Sequence, residues 1–143
     1  MIVVPDTSVL LKWVLRSPDE LDTEKALVLR QVALSGAVTL VVPQLWLYEV
    51  GNTLTRRFPV EAESLLGALR DFGFTEARRS PRWLRRTVLL ATEYGMTFYD
   101  AAYHAAALVR GGTFVTADER YVRCAESAGG IELLCDWKAP GAN

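Results

Sequence analysis

Ile2-Val3-Val4-Pro5-Asp6-Thr7-Ser8 is the stretch that decides how the chain is read. Four apolar residues without in–out alternation predict a strand buried on both faces at Ile2–Pro5. A helix is expected to follow at once over residues 6–16. The same succession recurs. Residues 40–43, 74–78, Thr113–Thr116 and 131–134 read as further strands. Helices are expected after residue 43 through Arg57, from Pro59 to about Phe72, from Ser80-Pro81 to near Gly95, over Phe98–Arg110 and over residues 119–128. Ser17-Pro18-Asp19-Glu20 has capping-box spacing with proline in the first turn, and predicts one more helix running to about Ser35. Strands alternating with helices imply an α/β fold with a central, mostly parallel sheet covered on both faces. In such folds ligands sit outside the carboxyl ends of the strands, which is where chemistry is to be sought.

The chain has 143 residues, half of them hydrophobic and 23% charged, enough to build one packed core. No repeat or long linker divides it, so residues 1–143 are expected to form a single domain. The longest apolar stretch, residues 39–48, falls short of the ~20 residues that span a bilayer. No basic region precedes the first apolar run, which argues against a signal peptide. Cys124 and Cys135 form neither a CxxC motif nor a disulfide framework and are expected to be packing residues. His104 is the only histidine, which excludes zinc sites of the HExxH type. The expectation is a cytoplasmic protein without a membrane segment. Net charge is −1, but residues 56–86 hold eight arginines against four acidic residues. That band, including Arg78, Arg79, Arg82 and Arg85, reads either as a solvated helix face or as a phosphate-contacting surface.

Four acidic residues stand where the fold would gather them. Asp6 follows the first strand, and Asp118 follows Thr113–Thr116 closely. Asp100 opens the helix Tyr-Asp-Ala-Ala-Tyr-His, and Glu49 lies inside the helix Gln-Leu-Trp-Leu-Tyr-Glu-Val-Gly-Asn. Each Asp has a structural alternative, because Asp is a favoured N-cap and acids in a first turn complement the helix dipole. Thr97 to Asp100 and Thr116 to Glu119 both have capping-box spacing. Glu49 is mid-helix and cannot cap; Asn52 and Arg56 share its stripe at i+3 and i+7, and the alternative there is a polar stripe that simply faces solvent. Clustered carboxylates repel one another unless a cation offsets them. An all-oxygen donor set suits Mg²⁺ or Mn²⁺ rather than zinc. Metals held this way activate water and stabilise charge during phosphodiester cleavage.

Taken in order, Asp6-Thr-Ser-Val-Leu, Glu49 with Asn52, Tyr99-Asp100-Ala-Ala-Tyr and Thr116-Ala-Asp118 resemble the PIN-domain proteins, in the compact form of VapC-type toxins of toxin–antitoxin pairs. The resemblance runs from Ile2 to about Leu134 and implies a three-layer α/β/α PIN-like fold. It further implies a Mg²⁺- or Mn²⁺-dependent endoribonuclease with Asp6, Glu49, Asp100 and Asp118 in its acidic site. Asp6, Asp100 and Asp118 would be the direct metal ligands, and Glu49 would complete the shell or orient a bound water. Ser8, Asn52 and Thr116 match supporting polar positions that hold carboxylates or waters by hydrogen bonds. A homodimer, a small antitoxin and an RNA substrate are the partners it implies.

Competing readings are weaker or different in kind. A haloacid-dehalogenase-like phosphatase wants Asp-x-Asp after its first strand, whereas position 8 is Ser. No GxGxxG follows that strand, which removes dinucleotide binding. A PIN-like scaffold without activity is the non-enzyme alternative. His104 reads as a structural helix residue rather than a general base. Trp13, Trp46, Trp83 and Tyr48 read as core or protein-interface aromatics rather than base-stacking ones. The first and third helices carry apolar residues beyond one face, among them Leu11, Leu15 and Leu47, which predicts a protein interface there.

Overall fold

The structure, a computed structural model, describes residues 1–16 and 21–142. Among these residues five strands and seven α-helices follow in order: β1 (Ile2–Pro5), α1 (Thr7–Val14), α2 (Thr23–Leu34), β2 (Thr39–Val42), α3 (Leu45–Arg57), α4 (Ala62–Arg70), β3 (Thr75–Glu76), α5 (Pro81–Tyr94), α6 (Phe98–Arg110), β4 (Thr113–Thr116), α7 (Glu119–Ala125) and β5 (Ile131–Leu133). A short 3-10 turn, Glu126–Ala128, carries the last helix to the length its sequence suggests. The strands form one parallel sheet in the order β3-β2-β1-β4-β5. From β1 the chain therefore steps one way to β2 and β3, then returns past β1 to β4 and β5. Right-handed crossovers place α1–α4 on one face and α5–α7 on the other, the three-layer α/β/α arrangement of a PIN fold. Contacts agree: α1 touches α2, α3 and α4, while α5 touches α6 and α7.

The boundaries differ from the sequence reading in understandable ways. The predicted capping box at residues 17–20 lies outside the described residues. Leu21 and Asp22 stand in a turn, with Asp22 left-handed at φ 59°, and α2 begins only at Thr23. Pro59 opens a turn rather than the helix itself, so α4 starts at Ala62. Ser80 caps α5 by accepting from the Trp83 N–H at 3.2 Å, and left-handed Gly95 ends that helix.

The core fills both layers. Val3, Val4, Val41, Val42, Phe114 and Val115 are buried, as the lack of alternation in their strands requires. On one face Trp13 packs on Phe72 at 5.1 Å between ring centroids, and Trp46 meets Phe74 edge-on at 5.0 Å. Trp13 also donates its indole N–H to the Ala26 carbonyl at 2.8 Å. On the other face α6 presents Ala101, Ala102, Ala105, Ala106 and Ala107, all buried, and these small side chains let it lie close across β1 and β4. The indole of Trp83 reaches the Ala102 carbonyl at 3.1 Å and ties α5 to α6.

Two expectations are corrected. The apolar excess of the first helix is core, not interface: Leu10, Trp13 and Leu15 are buried and Leu11 packs against them, because α2, α3, α4 and the sheet enclose α1. Of the large hydrophobic residues on α3, Leu47 and Tyr48 remain exposed. Cys124 and Cys135 are both exposed, and their neighbours Ala125 and Leu134 do the packing.

The seam between β1 and β4 depends on Gly112, where a Cβ would lie 2.7 Å from the Ile2 carbonyl oxygen. Gly112→Ala is expected to cost about 1–3 kcal/mol, the range for overpacking a closed site. Urea melts check this, and an unmoved midpoint would show that the seam yields freely.

Candidate active site

β1 and β4 are neighbours whose onward connections leave in opposite directions, which makes their carboxyl ends the switch point of the sheet. Asp6 is the first residue beyond β1. Its backbone N–H continues the ladder to the Val115 carbonyl at 2.9 Å, which fixes the carboxylate over the β1–β4 seam. Three donors converge on that carboxylate. The Thr7 N–H donates to Oδ1 at 2.8 Å, and the Ser8 and Thr116 hydroxyls donate to Oδ2, each at 2.8 Å. The two hydroxyls also accept from the chain beyond β4: Ser8 from the Ala117 N–H at 3.2 Å, Thr116 from the Asp118 N–H at 3.1 Å. Asp6 is thus a cap of α1 and the knot joining two strand ends.

Asp118 lies two residues past β4, exposed, with Oδ1 accepting the Tyr121 N–H at 3.0 Å to cap α7. The cap of α6 is Thr97, whose hydroxyl accepts from the Asp100 N–H at 3.1 Å. Among the described residues the Asp100 carboxylate itself has no hydrogen-bond donor, so capping does not explain it.

Glu49 is held from the side. The Tyr103 hydroxyl donates to Oε1 at 2.7 Å, and Thr7 Oγ1 lies 3.3 Å from the same oxygen and 2.9 Å from the phenol. Thr7 and Tyr103 are partners of Glu49 that the sequence reading passed over. Tyr103 is three residues after Asp100 on α6, so their shared face was the signal available.

The electrostatics bind these groups together. Burial raises Asp6 to about 6, against three lowering hydrogen bonds, and the Asp100 charge adds to the rise. Burial also raises Glu49, opposed by Tyr103 and Thr7, and again the Asp100 charge raises it further. Tyr121, buried behind the site, is raised by burial and by the charges of Asp100, Asp6 and Asp118. The three Asp residues therefore act on one buried phenol, and Asp100 acts on Asp6 and Glu49.

No three of the described His, Cys, Asp and Glu side chains are set closely enough to hold a metal ion as they stand. The donors nevertheless fit a hard divalent cation: they are oxygens only, and the neighbouring charge on Asp6 and Glu49 is of their own sign.

Among the supporting positions, Ser8 and Thr116 lie in the Asp6 network. Asn52 is exposed one turn beyond Glu49, and its side chain makes no hydrogen bond among the described residues. Arg78 and Arg79 follow β3, Arg82 and Arg85 lie on α5, and all four are exposed, without a hydrogen bond to the carboxylates. His104 is wholly buried. Its Nε2 lies 2.7 Å from the Gly129 carbonyl and must donate to it, which leaves Nδ1 to accept from the Tyr121 hydroxyl at 3.1 Å. Burial lowers its pKa, so it is a neutral structural clamp.

A parallel α/β/α sheet with acidic residues gathered at its switch point defines the class. The match of residues 3–127 to the PIN domain then places the chain in the family: it belongs to the PIN-domain proteins, which are generally nucleases that use divalent metals. Two solved structures share the fold. PAE2754 from Pyrobaculum aerophilum has 22% identity and a TM-score of 0.66, over 94% of this chain and 90% of that one. VapBC2 from Rickettsia felis, bound to a DNA fragment from their promoter, has 17% identity and a TM-score of 0.67, over 93% and 97%. No curated protein sequence matches the chain. No helix among the described residues is long and apolar enough to cross a membrane.

Because Asp6 is raised from 3.8 to about 6, its protonation favours the folded state. The stability it contributes is fully present below pH ~4 and is lost as pH rises through ~6, a change of about 3 kcal/mol. Carboxyl-carbon NMR in EDTA should show Asp6 titrating near pH 6, and Asp100→Asn should move that titration downward. An Asp6 midpoint near 4 in the wild type would contradict the burial argument.

Proposed function

We propose that the chain is a divalent-metal-dependent endoribonuclease that hydrolyses RNA phosphodiester bonds at Asp6, Glu49, Asp100 and Asp118. One observation carries this reading: the Asp100 carboxylate on α6 lies near enough to raise the pKa of both Asp6, at a strand end, and Glu49, on α3. Such an arrangement costs stability, and a bound cation removes the cost.

Asp6, Asp100 and Asp118 would hold Mg²⁺ or Mn²⁺, which when bound activates water and stabilises charge on the phosphate. Ser8 and Thr116 fix the Asp6 carboxylate through their 2.8 Å bonds. Glu49, aimed by Tyr103 and Thr7, orients the attacking water or accepts its proton. Arg78, Arg79, Arg82 and Arg85 supply the positive charge that an acidic crevice needs to keep a polyanion close. We further propose the biological setting of a cytoplasmic toxin paired with a small antitoxin and forming a homodimer; the shared fold of VapBC2 supports it, and exposed Leu47 on α3 is available for such contacts. An inactive PIN scaffold is the second reading, but the open Asp100 carboxylate speaks against it.

Asp100→Asn removes one charge at nearly constant shape, and Thr97 still caps α6. It should abolish metal-dependent cleavage of RNA while the EDTA-treated variant melts no lower than the EDTA-treated wild type. Near-wild-type cleavage would remove Asp100 from the site. Replacing Arg78, Arg79, Arg82 and Arg85 by Gln should weaken RNA binding and flatten its dependence on salt. Unchanged affinity and slope would make the band a solvated face.

A further inference from the structure

Of the five tyrosines, Tyr48 and Tyr99 are the two most exposed, at 76% and 62%, and each directly precedes an acidic residue of the candidate site. The other large aromatic side chains are mostly spent on the core, so two phenols left in solvent beside Glu49 and Asp100 call for an explanation. Tyr48 supplies one. It lines a cleft of about 300 Å³ together with Arg79, Gln44, Pro43, Ala77 and Trp83. Pro43 and Ala77 are the first residues beyond β2 and β3, so the cleft opens at the same end of the sheet as Asp6 and Asp118. Leu45, also in its wall, is one helical turn before Glu49 on α3.

The walls have a particular chemistry. Tyr48 offers an aromatic face that, among the described residues, packs on no other ring. Arg79 offers a planar guanidinium without an ion-pair or hydrogen-bond partner among those residues. Gln44 offers an amide able to donate and accept. Aromatic and guanidinium planes are the surfaces on which unstacked bases settle, and an amide reads a base edge. The volume is at the small end of ligand sites, the scale of one base rather than a folded element. An apolar helix from a protein partner would want an apolar groove, whereas this cleft places a fixed positive charge in its wall.

We infer that the Tyr48–Arg79 cleft holds one unstacked base of a single-stranded RNA whose neighbouring phosphate lies at the carboxylates. This inference rests on the nuclease reading above and adds a subsite to it.

The test is fluorescence anisotropy with a labelled, short single-stranded RNA in EDTA, so that nothing is cut. Tyr48→Ala should weaken binding about 5- to 150-fold, the range for removing one stacking platform, while Tyr48→Phe and Tyr48→Trp bind as the wild type. Moving one abasic nucleotide along the strand should find a position that weakens the wild type by a similar factor and leaves Tyr48→Ala unaffected. Single-stranded DNA of the same base sequence should show the same Tyr48→Ala loss, because the ring meets the base and not the sugar. Wild-type affinity of Tyr48→Ala, or no sensitive abasic position, overturns the inference. So does a variant that binds RNA normally but loses a protein partner, since the cleft would then be a protein contact. Base-dependent binding without any metal-dependent cleavage would leave the subsite standing and remove the nuclease reading; cleavage with Tyr48-independent binding would do the reverse.

Discussion

Everything at the carboxyl end of the sheet hangs on the Asp6 carboxylate. It takes three hydrogen bonds from Thr7, Ser8 and Thr116, and through the two hydroxyls it binds the exit of β1 to the exit of β4. Those bonds favour the ionised form, yet burial and the Asp100 charge outweigh them and lift its pKa to about 6. A carboxylate kept only for structure would not be set against a like charge. The conflict between the local network, which is well made, and the charge balance, which is not, is what separates this position from an ordinary cap.

The same conflict explains why the sequence could be read only part of the way. Apolar central strands alternating with helices specified the parallel sheet, and the parallel sheet specified where the acids would gather. What periodicity could not settle was whether each Asp caps a helix or serves chemistry, because one residue type suits both. The capping itself differs from position to position. Asp6 and Asp118 do cap their helices, whereas at α6 the capping falls to Thr97 and Asp100 is left open. Glu49 stood out because a mid-helix acid has no capping role, but its partners were invisible. Thr7 is 42 residues away in sequence and Tyr103 is 54 away, and only the sheet topology brings them together.

Apolar excess was the least legible feature. A helix apolar on most sides is either enclosed or bound to a partner, and the sequence of α1 fits both. Enclosure by α2, α3, α4 and the sheet decides for the core. The aromatics divide between the core and the surface. Trp13, Trp46 and Trp83 are buried as expected, while Tyr48, read with them, is in solvent. Adjacent positions on one helix part company there: Leu45 packs against the core and Tyr48 turns outward.

The organisation of α6 follows from its alanines. Five buried Ala side chains between residues 101 and 107 let the helix backbone approach the sheet closely, with little side-chain entropy lost. Close approach in turn lets three of the polar groups on this helix reach other elements. Asp100 faces the carboxylates, Tyr103 reaches Glu49 on α3, and His104 reaches Tyr121 on α7 and the Gly129 carbonyl. Tyr121 in turn gives its backbone N–H to Asp118. One helix thereby sets Glu49 directly and Asp118 at one remove, on opposite sides of the Asp6 knot. Bulkier residues at the alanine positions would lift α6 from the sheet and loosen both holds together, so the small side chains are a requirement of the site as much as of the core.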